Sequence, residues 1–294
     1  MIEPKIVSKW GPEDEIGALN EITPAKVLEA SRLIKTGKIC RLGHIFEYGI
    51  PHDWFHGEFA YCTFRNHEES LKLFSSKNKL GAMNLRLEMA DHTGTHIDGI
   101  NHTSINGCLY NGLSAKEITG TFGTSKLGME KTPPIFTRGL LIDVASLHKV
   151  ERLQPGNVIS AEDIELSLTE GKRKIKRGDA VLIRTGWSQL WMSDNEKYVG
   201  PCPGIGLSAA RLLADQGVSL IGVDTSNGEV TPNEDPREMD AVHQFLIVRN
   251  GIRIIENLEL EILRNERVAE FAFICLPLPI KGGAGSPISP IAAF

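Results

Sequence analysis

The feature that most constrains this chain is a series of short apolar runs separated by polar, helix-like stretches. Gly139 to Ala145 reads GLLIDVA, Ala180 to Thr185 reads AVLIRT, Leu220 to Val223 reads LIGV and Phe271 to Leu276 reads FAFICL. Each run suits a strand buried on both faces. Between them, Ser160 to Leu168 and Ser208 to Asp215 read as helices, each opened by a serine that can cap the first turn. Thr23 to Ile34 reads as a helix too, with Thr23 as cap, Pro24 at the first helical position and Val27, Leu28, Ala30 and Leu33 as its apolar stripe. Leu85, Leu87 and Met89 alternate with polar residues, which predicts a strand running into His92. Strands outnumber helices and interleave with them, so the expected class is α/β or α+β, not a sandwich or a helical bundle. No linker or internal repeat divides the chain, and residues 1–294 are expected to form one domain.

Composition narrows the function classes. The chain has 41% hydrophobic and 23% charged residues, ordinary globular usage that argues against disorder. A formal net charge of -5 argues against nucleic acid as the main partner, because phosphate recognition needs a basic face. No apolar run approaches the ~20 residues of a membrane span, and the start has no apolar signal region. A cytoplasmic protein is the expectation. Cys40, Cys62, Cys108, Cys202 and Cys275 are scattered, with no CxxC pair. A disulfide framework and a thiolate zinc site are therefore poorly supported, and any metal must be held by His and carboxylates.

The stretch that carries chemistry is HTGTHIDGINH, from His92 to His102. Three His and one Asp fall within eleven residues. Imidazole and carboxylate are the ligands that zinc and manganese accept. Thr-Gly-Thr is a poor helix interior, so His92 and His96 are not read as a helical pair. On a straight strand they would share a face but lie ~13 Å apart, given about 3.3 Å per residue. Gly94 permits the bend that would bring them together, while His96 and Asp98 face one way without distortion. The competing account is a polar loop whose histidines make ordinary hydrogen bonds.

This stretch resembles the HxGTHxDxPxH signature of the cyclase superfamily, which includes kynurenine formamidase-like amidohydrolases and isatin hydrolase. His92, Gly94, Thr95, His96, Asp98 and His102 match it, and Ile100 stands where many members have Pro. That departure touches backbone shape, not chemistry. Trp10 to Asn20 (WGPEDEIGALN) and Gly107 to Gly112 (GCLYNG) look like a longer branch of the superfamily, so the resemblance runs from Trp10 to the GSP near the C-terminus. It implies a swivelling β/β/α fold, with a central barrel-like mixed sheet and flanking helices. It implies a second half of the metal site at His243 and Glu256, Asp98 bridging two positions, and His102 as general acid or base. It also implies a homodimer or homotetramer.

The function expected from these residues is metal-dependent hydrolysis of a carbonyl C–N or C–O bond in a small-molecule amide, cyclic amide or lactone. One or two zinc or manganese ions per subunit are the expected cofactor. Two alternatives stay open: a lyase or cyclase using the same ligands, and a non-catalytic metal-binding protein on the same fold. No GxSxG elbow or P-loop is present, so other nucleophile and phosphate chemistries are unsupported. Gly204 to Ala209 (GIGLSA) reads as a turn into a helix. The aromatic-rich stretch 50–80 reads as irregular, either a lid or simple packing, and within it His52 and His56 are candidates to touch substrate. Asp224, Thr225 and Trp187 sit at strand ends as pocket-wall candidates. The tail KGGAGSPISP is expected to wrap the surface or a neighbouring subunit.

Overall fold

The computed structural model describes residues 6–294. Nine strands form one sheet: β1 (Ile39–Arg41), β2 (His96–Asp98), β3 (Ile135–Asp143), β4 (Ala180–Arg184), β5 (Leu220–Val223), β6 (Arg253–Glu256), β7 (Glu270–Cys275), β8 (Gly285–Pro287) and β9 (Ile291–Ala293). Their order is β1-β9-β7-β3-β4-β5-β6-β2-β8. The four central strands, β3 to β6, run parallel. Antiparallel strands extend them on both sides. All four apolar runs read from the sequence are strands of this sheet.

The central strands explain why they read as continuous apolar runs. In β4, Val181 and Ile183 join one buried cluster while Ala180 and Leu182 join another. Ile221 and Val223 of β5 repeat the first assignment and Leu220 the second. Side chains alternate across a pleated strand, so a strand with a core on each face needs an apolar residue at nearly every position. Helices Ala161–Glu170 and Leu207–Asp215 contribute Ile164, Ala209, Ala210 and Leu213 to the first cluster.

Local signals mostly placed the helix ends. Thr23 accepts from the Lys26 backbone N–H, with Pro24 next, but that helix stops at Ser31, short of Ile34. Ser160 and Asp163 form a reciprocal capping box. Ser208 is not a cap: the helix starts at Leu207 with Gly206 before it, and the Ser208 hydroxyl accepts from Ala161 N at 3.2 Å. That contact ties two helix starts together, which no local pattern encodes. Gly204–Ile205 pairs briefly with Val158–Ile159 and then turns into the helix, as expected.

Three further readings need correction. Stretch 50–80 is not irregular throughout: it contains a strand, Ala60–Arg65, and a helix, His67–Phe74, capped by Asn66 and Glu69. The strand pairs antiparallel with Asn84–Glu88, the alternating segment, in a separate two-stranded hairpin. That segment ends before Ala90 and does not run into His92. The tail does not merely wrap the surface: it supplies β8 and β9, and β8 lies directly against β2. Among the described residues, no helix is long and apolar enough to cross a membrane.

Candidate metal centre

The centre forms where β2 meets β6. His96 lies directly opposite Glu256 in the register, and Ile97 opposite Ile255. Ile97 therefore points into the core on one face. His96, Asp98 and Glu256 share the other. Upstream, Gly94 has φ +61°, and a Cβ there would meet the Phe46 ring at 2.6 Å. Glycine is needed for both reasons, and the bend folds His92 back over β2, as the sequence suggested. His243 reaches the same point from a short helical turn, Ala241–His243, which continues into a π-helical segment, Gln244–Arg249.

All five expected ligands converge. His92 Nε2 lies 3.4 Å and His96 Nε2 3.5 Å from Asp98 Oδ1. His96 Nε2 is 3.4 Å from Glu256 Oε2. His243 Nε2 is 3.2 Å from Glu256 Oε1 and 3.8 Å from Asp98 Oδ2. Asp98 thus faces His92 and His96 with one oxygen and His243 with the other. Each of the five residues is at most 7% exposed. His92 Nε2 and both Asp98 oxygens are buried without a hydrogen-bond partner. Buried polar groups are rarely left so, because desolvation without a partner costs about 1–3 kcal/mol or more. Ligands at about 2.1 Å from a tetrahedral ion lie roughly 3.4 Å apart, so the spacing fits a shared divalent cation.

Each histidine is oriented through its other nitrogen. His92 Nδ1 donates to Asp91 Oδ1 at 2.9 Å. Asp91 Oδ2 in turn accepts from the backbone N–H of Ala284 and Gly285. His96 Nδ1 donates to the Gly94 carbonyl at 2.8 Å. His243 Nδ1 donates to Glu229 Oε1 at 2.7 Å, and Glu229 also accepts from the backbone of Val242 and His243. Such partners fix the tautomer and aim Nε2 at the ligand position. Sequence reasoning missed Asp91, Glu229 and Gly285. A Cβ on Gly285 would lie 2.7 Å from His92 Nε2. Asp91 adjoins the motif and was findable; Glu229 and Gly285 are far from it in sequence and carry no local signal.

Electrostatics follow the same geometry. Burial pulls the His96 pKa down, but Asp98 and Glu256 outweigh it and raise it to about 9. Burial likewise opposes the charge on His243, yet Glu229 and Glu256 push its pKa well above the usual imidazole value. The carboxylates thus hold positive charge at this point, first as protons. Burial raises the Asp91 pKa, but the hydrogen bonds from His92 and the tail bring it to about 2.

His102 is placed differently. Its ring packs on His92, with centroids 4.1 Å apart, and one of its nitrogens is near enough to His92 and Asp98 to share an ion with them. Burial pulls its pKa down to about 4, against the opposing pull of Asp98. His56 also arrives here: it stacks on His92 at 5.3 Å and 14° and is held by Asp53 at 3.3 Å. His52 does not; it lines a separate cavity with Tyr48, Phe59 and Asn195. Asp224 is buried in bonds from Thr185 and Gly186, and Thr225 is bound to the Asn227 carbonyl. Trp187 is fully buried in a cluster with Leu190, Tyr198 and Cys202. Asp224 and Thr225 are thus tied up in hydrogen bonds, and Trp187 in packing. A cavity of about 430 Å³ lies elsewhere, beside Leu141, Arg173 and Arg267. Convergent unpartnered ligand atoms, not cavity size, mark the site.

Comparisons with known proteins identify the family and the fold. A family model described as "Putative cyclase" matches residues 40–230. A kynurenine formamidase of Bacillus thuringiensis subsp. konkukian is 28% identical over 214 residues, covering 72% of this chain and 81% of that protein. A solved structure described as a novel cyclase superposes with a TM-score of 0.87 at 27% identity, covering 97% of this chain and 96% of the other. Isatin hydrolase A from Labrenzia aggregata, bound to benzyl benzoate, gives a TM-score of 0.65 at 20% identity over 90% of this chain and 96% of that one. The last is a likeness of fold. The swivelling β/β/α architecture with its mixed sheet and flanking helices is the one found.

Proposed function

The chain belongs to the cyclase family that this model describes, and from that premise we propose that it is a metal-dependent hydrolase of small carbonyl compounds, acting on an amide, a cyclic amide or a lactone. The observation that carries the proposal is Asp98: a buried carboxylate with no hydrogen-bond partner, ringed by three imidazole Nε2 atoms and Glu256. His92, His96, Asp98, His243 and Glu256 would hold one or two divalent ions, and this nitrogen and oxygen set suits zinc or manganese. A divalent ion held there supplies an acidified water and polarises the substrate carbonyl.

The remaining steps belong to the side chains. Asp98 and Glu256 balance the charge at the centre. Glu229, Asp91 and the Gly94 carbonyl keep the three ligand rings aimed, so nothing need reorganise during turnover. His102 is the general acid/base: it takes the proton from the attacking water and returns it to the leaving nitrogen or oxygen as the C–N or C–O bond breaks. Its ring is placed by packing on His92, and burial favours its neutral form, which carries a free nitrogen lone pair. His56 roofs the centre from the segment between Pro51 and Glu58.

The test is elemental analysis of the purified chain, followed by turnover of aryl formamides, isatin-like lactams and lactones in heavy-oxygen water. Hydrolysis places one heavy oxygen in the product carboxylate. Turnover without label would assign lyase or cyclase chemistry. A metal-loaded chain inactive on all three substrate types would overturn the hydrolase reading.

A further inference from the structure

Asn257 follows Glu256 at the end of β6 and has φ +57°. That is the left-handed region, which glycine fills freely and asparagine tolerates. The residue is buried, and its backbone is held on both sides. Its N–H donates to the Thr225 carbonyl at 2.9 Å, and its carbonyl accepts from Thr95 Oγ1 at 2.6 Å. Glycine would serve that turn equally well. What asparagine adds is an amide, placed between two segments that lie 59 and 163 residues away in the chain.

The chemistry of its neighbours fixes which way the amide points. One end lies 2.8 Å from the Gly94 carbonyl. A carbonyl only accepts, so that end is Nδ2. The other end, Oδ1, lies 2.8 Å from the Tyr198 hydroxyl, which therefore donates. Tyr198 is fully buried on the short helix Asn195–Val199. Burial pushes its phenol well above the usual pKa, so the donated proton stays in place. The Asp224 carbonyl, at 3.5 Å, is too distant to compete for it. The tyrosine is itself anchored: Trp191 meets its ring edge-on at 5.3 Å, and its carbonyl accepts from Trp187 Nε1 and Ser226 Oγ.

The chain of bonds ends at the bend before β2. The Gly94 carbonyl accepts from His96 Nδ1 as well as from Asn257, so both of its lone pairs are used. The two donors, Asn257 Nδ2 and His96 Nδ1, stand 3.4 Å apart on that one oxygen. Glycine has the backbone most free to swing, so a carbonyl at Gly94 needs an outside hold to aim a ring. We propose that Tyr198 and Asn257 form a relay that locks the Gly94 carbonyl and, through it, points His96 Nε2 at the cation position. Both are positioning residues, acting through Gly94 and His96. The inference rests on the metal reading of the centre and extends it to two residues outside the ligand set.

The experiment compares zinc and cobalt binding by the full chain with that of Asn257→Gly, Tyr198→Phe and the double variant. Asn257→Gly keeps the left-handed turn and removes the amide. Tyr198→Phe keeps the ring and removes the donor. Zinc affinity, by chelator competition, is expected to fall about 10- to 100-fold in Asn257→Gly and by less in Tyr198→Phe. The double variant should bind within ~2-fold of Asn257→Gly, because Tyr198 acts through the amide alone. The cobalt absorption bands, which report ligand geometry, should change in all three variants. Urea unfolding of the metal-free chains reads stability separately, and a merely structural role would move only that. Should Asn257→Gly not fold, Tyr198→Phe carries the same readouts. Zinc affinity and cobalt bands left unchanged in the variants overturn the relay, whatever the loss of stability. Losses that multiply in the double variant overturn it too, since the two residues would then act independently. An unaltered chain that takes up neither ion overturns the metal reading, and the relay with it.

Discussion

The metal centre and the arm at residues 60–88 invert the usual rule of protein interiors in opposite directions. At the centre, three histidines and two carboxylates are buried, with ligand atoms left unpartnered. On the arm, nine large apolar side chains face solvent. Buried charge and exposed apolar surface are each costly alone. At the centre, the unpartnered ligand atoms fit a divalent cation. The scaffolding differs accordingly. The centre's side chains are aimed by second hydrogen bonds with the Gly94 carbonyl, the Gly228 N–H and the Glu229 carboxylate. The arm is held by one hairpin and one capping box.

The largest effect should come from His96→Ala. It removes a ligand near both Asp98 and Glu256, and is expected to abolish stoichiometric metal and lower kcat/KM by on the order of a thousandfold or more. Full metal content in that variant, read by elemental analysis, would dissolve the contrast with the arm. Next is pH. The raised His96 pKa of about 9 means that binding a cation displaces a proton across the neutral range, and His243 adds a second. Metal affinity should then rise by about tenfold per pH unit for each proton displaced, up to about pH 9. Metal titrations in buffers of different ionisation enthalpy count those protons. The sign reverses without metal. A raised histidine pKa contributes stability that is full below 6.5 and is lost as pH rises through about 9. Metal-free chain should therefore lose that contribution over the range in which metal binds more tightly.

Smaller effects sharpen the comparison. Glu229→Gln leaves the ligands in place but weakens the hold on the His243 tautomer, and Asp91→Asn does the same for His92. Each is expected to cost about 10- to 100-fold in metal affinity with the fold intact, measured by chelator competition. No loss in either would mean that the rings are aimed by packing alone. Smallest is Leu87→Ala on the arm, expected to change the stability of the chain by less than about 0.5 kcal/mol in denaturant titration. The same truncation at fully buried Ile97, beside the centre, should cost about 2–5 kcal/mol. A comparable cost at Leu87 would show that the arm has a core after all.

Much of this was legible in the chain itself. Four apolar runs identified four sheet strands because a strand with a core on each face leaves almost no position for a polar residue. HTGTHIDGINH announced its chemistry, and Gly94 its bend, because ligand type and backbone freedom are properties of single residues. Of the arm, Asn84–Glu88 was legible from its alternation, whereas Ala60–Arg65 escaped because AYCTFR carries no such period. The tail escaped because β8 is a three-residue strand whose pairing is decided by β2, nearly two hundred residues earlier.

The sequence by itself therefore determined strands β3, β4, β5 and β7, the His92–Asp98 cluster and, through family resemblance, the candidates His243 and Glu256. Only the tertiary structure decided that Glu229 orients His243, that Gly285 makes room for His92, that His56 lies over the centre and that Trp187 is core. Periodicity and ligand chemistry are local, carried by neighbours along the chain. A hydrogen bond from Glu229, or clearance above Gly285, exists only once distant segments share a sheet, and nothing in the residues on either side records it.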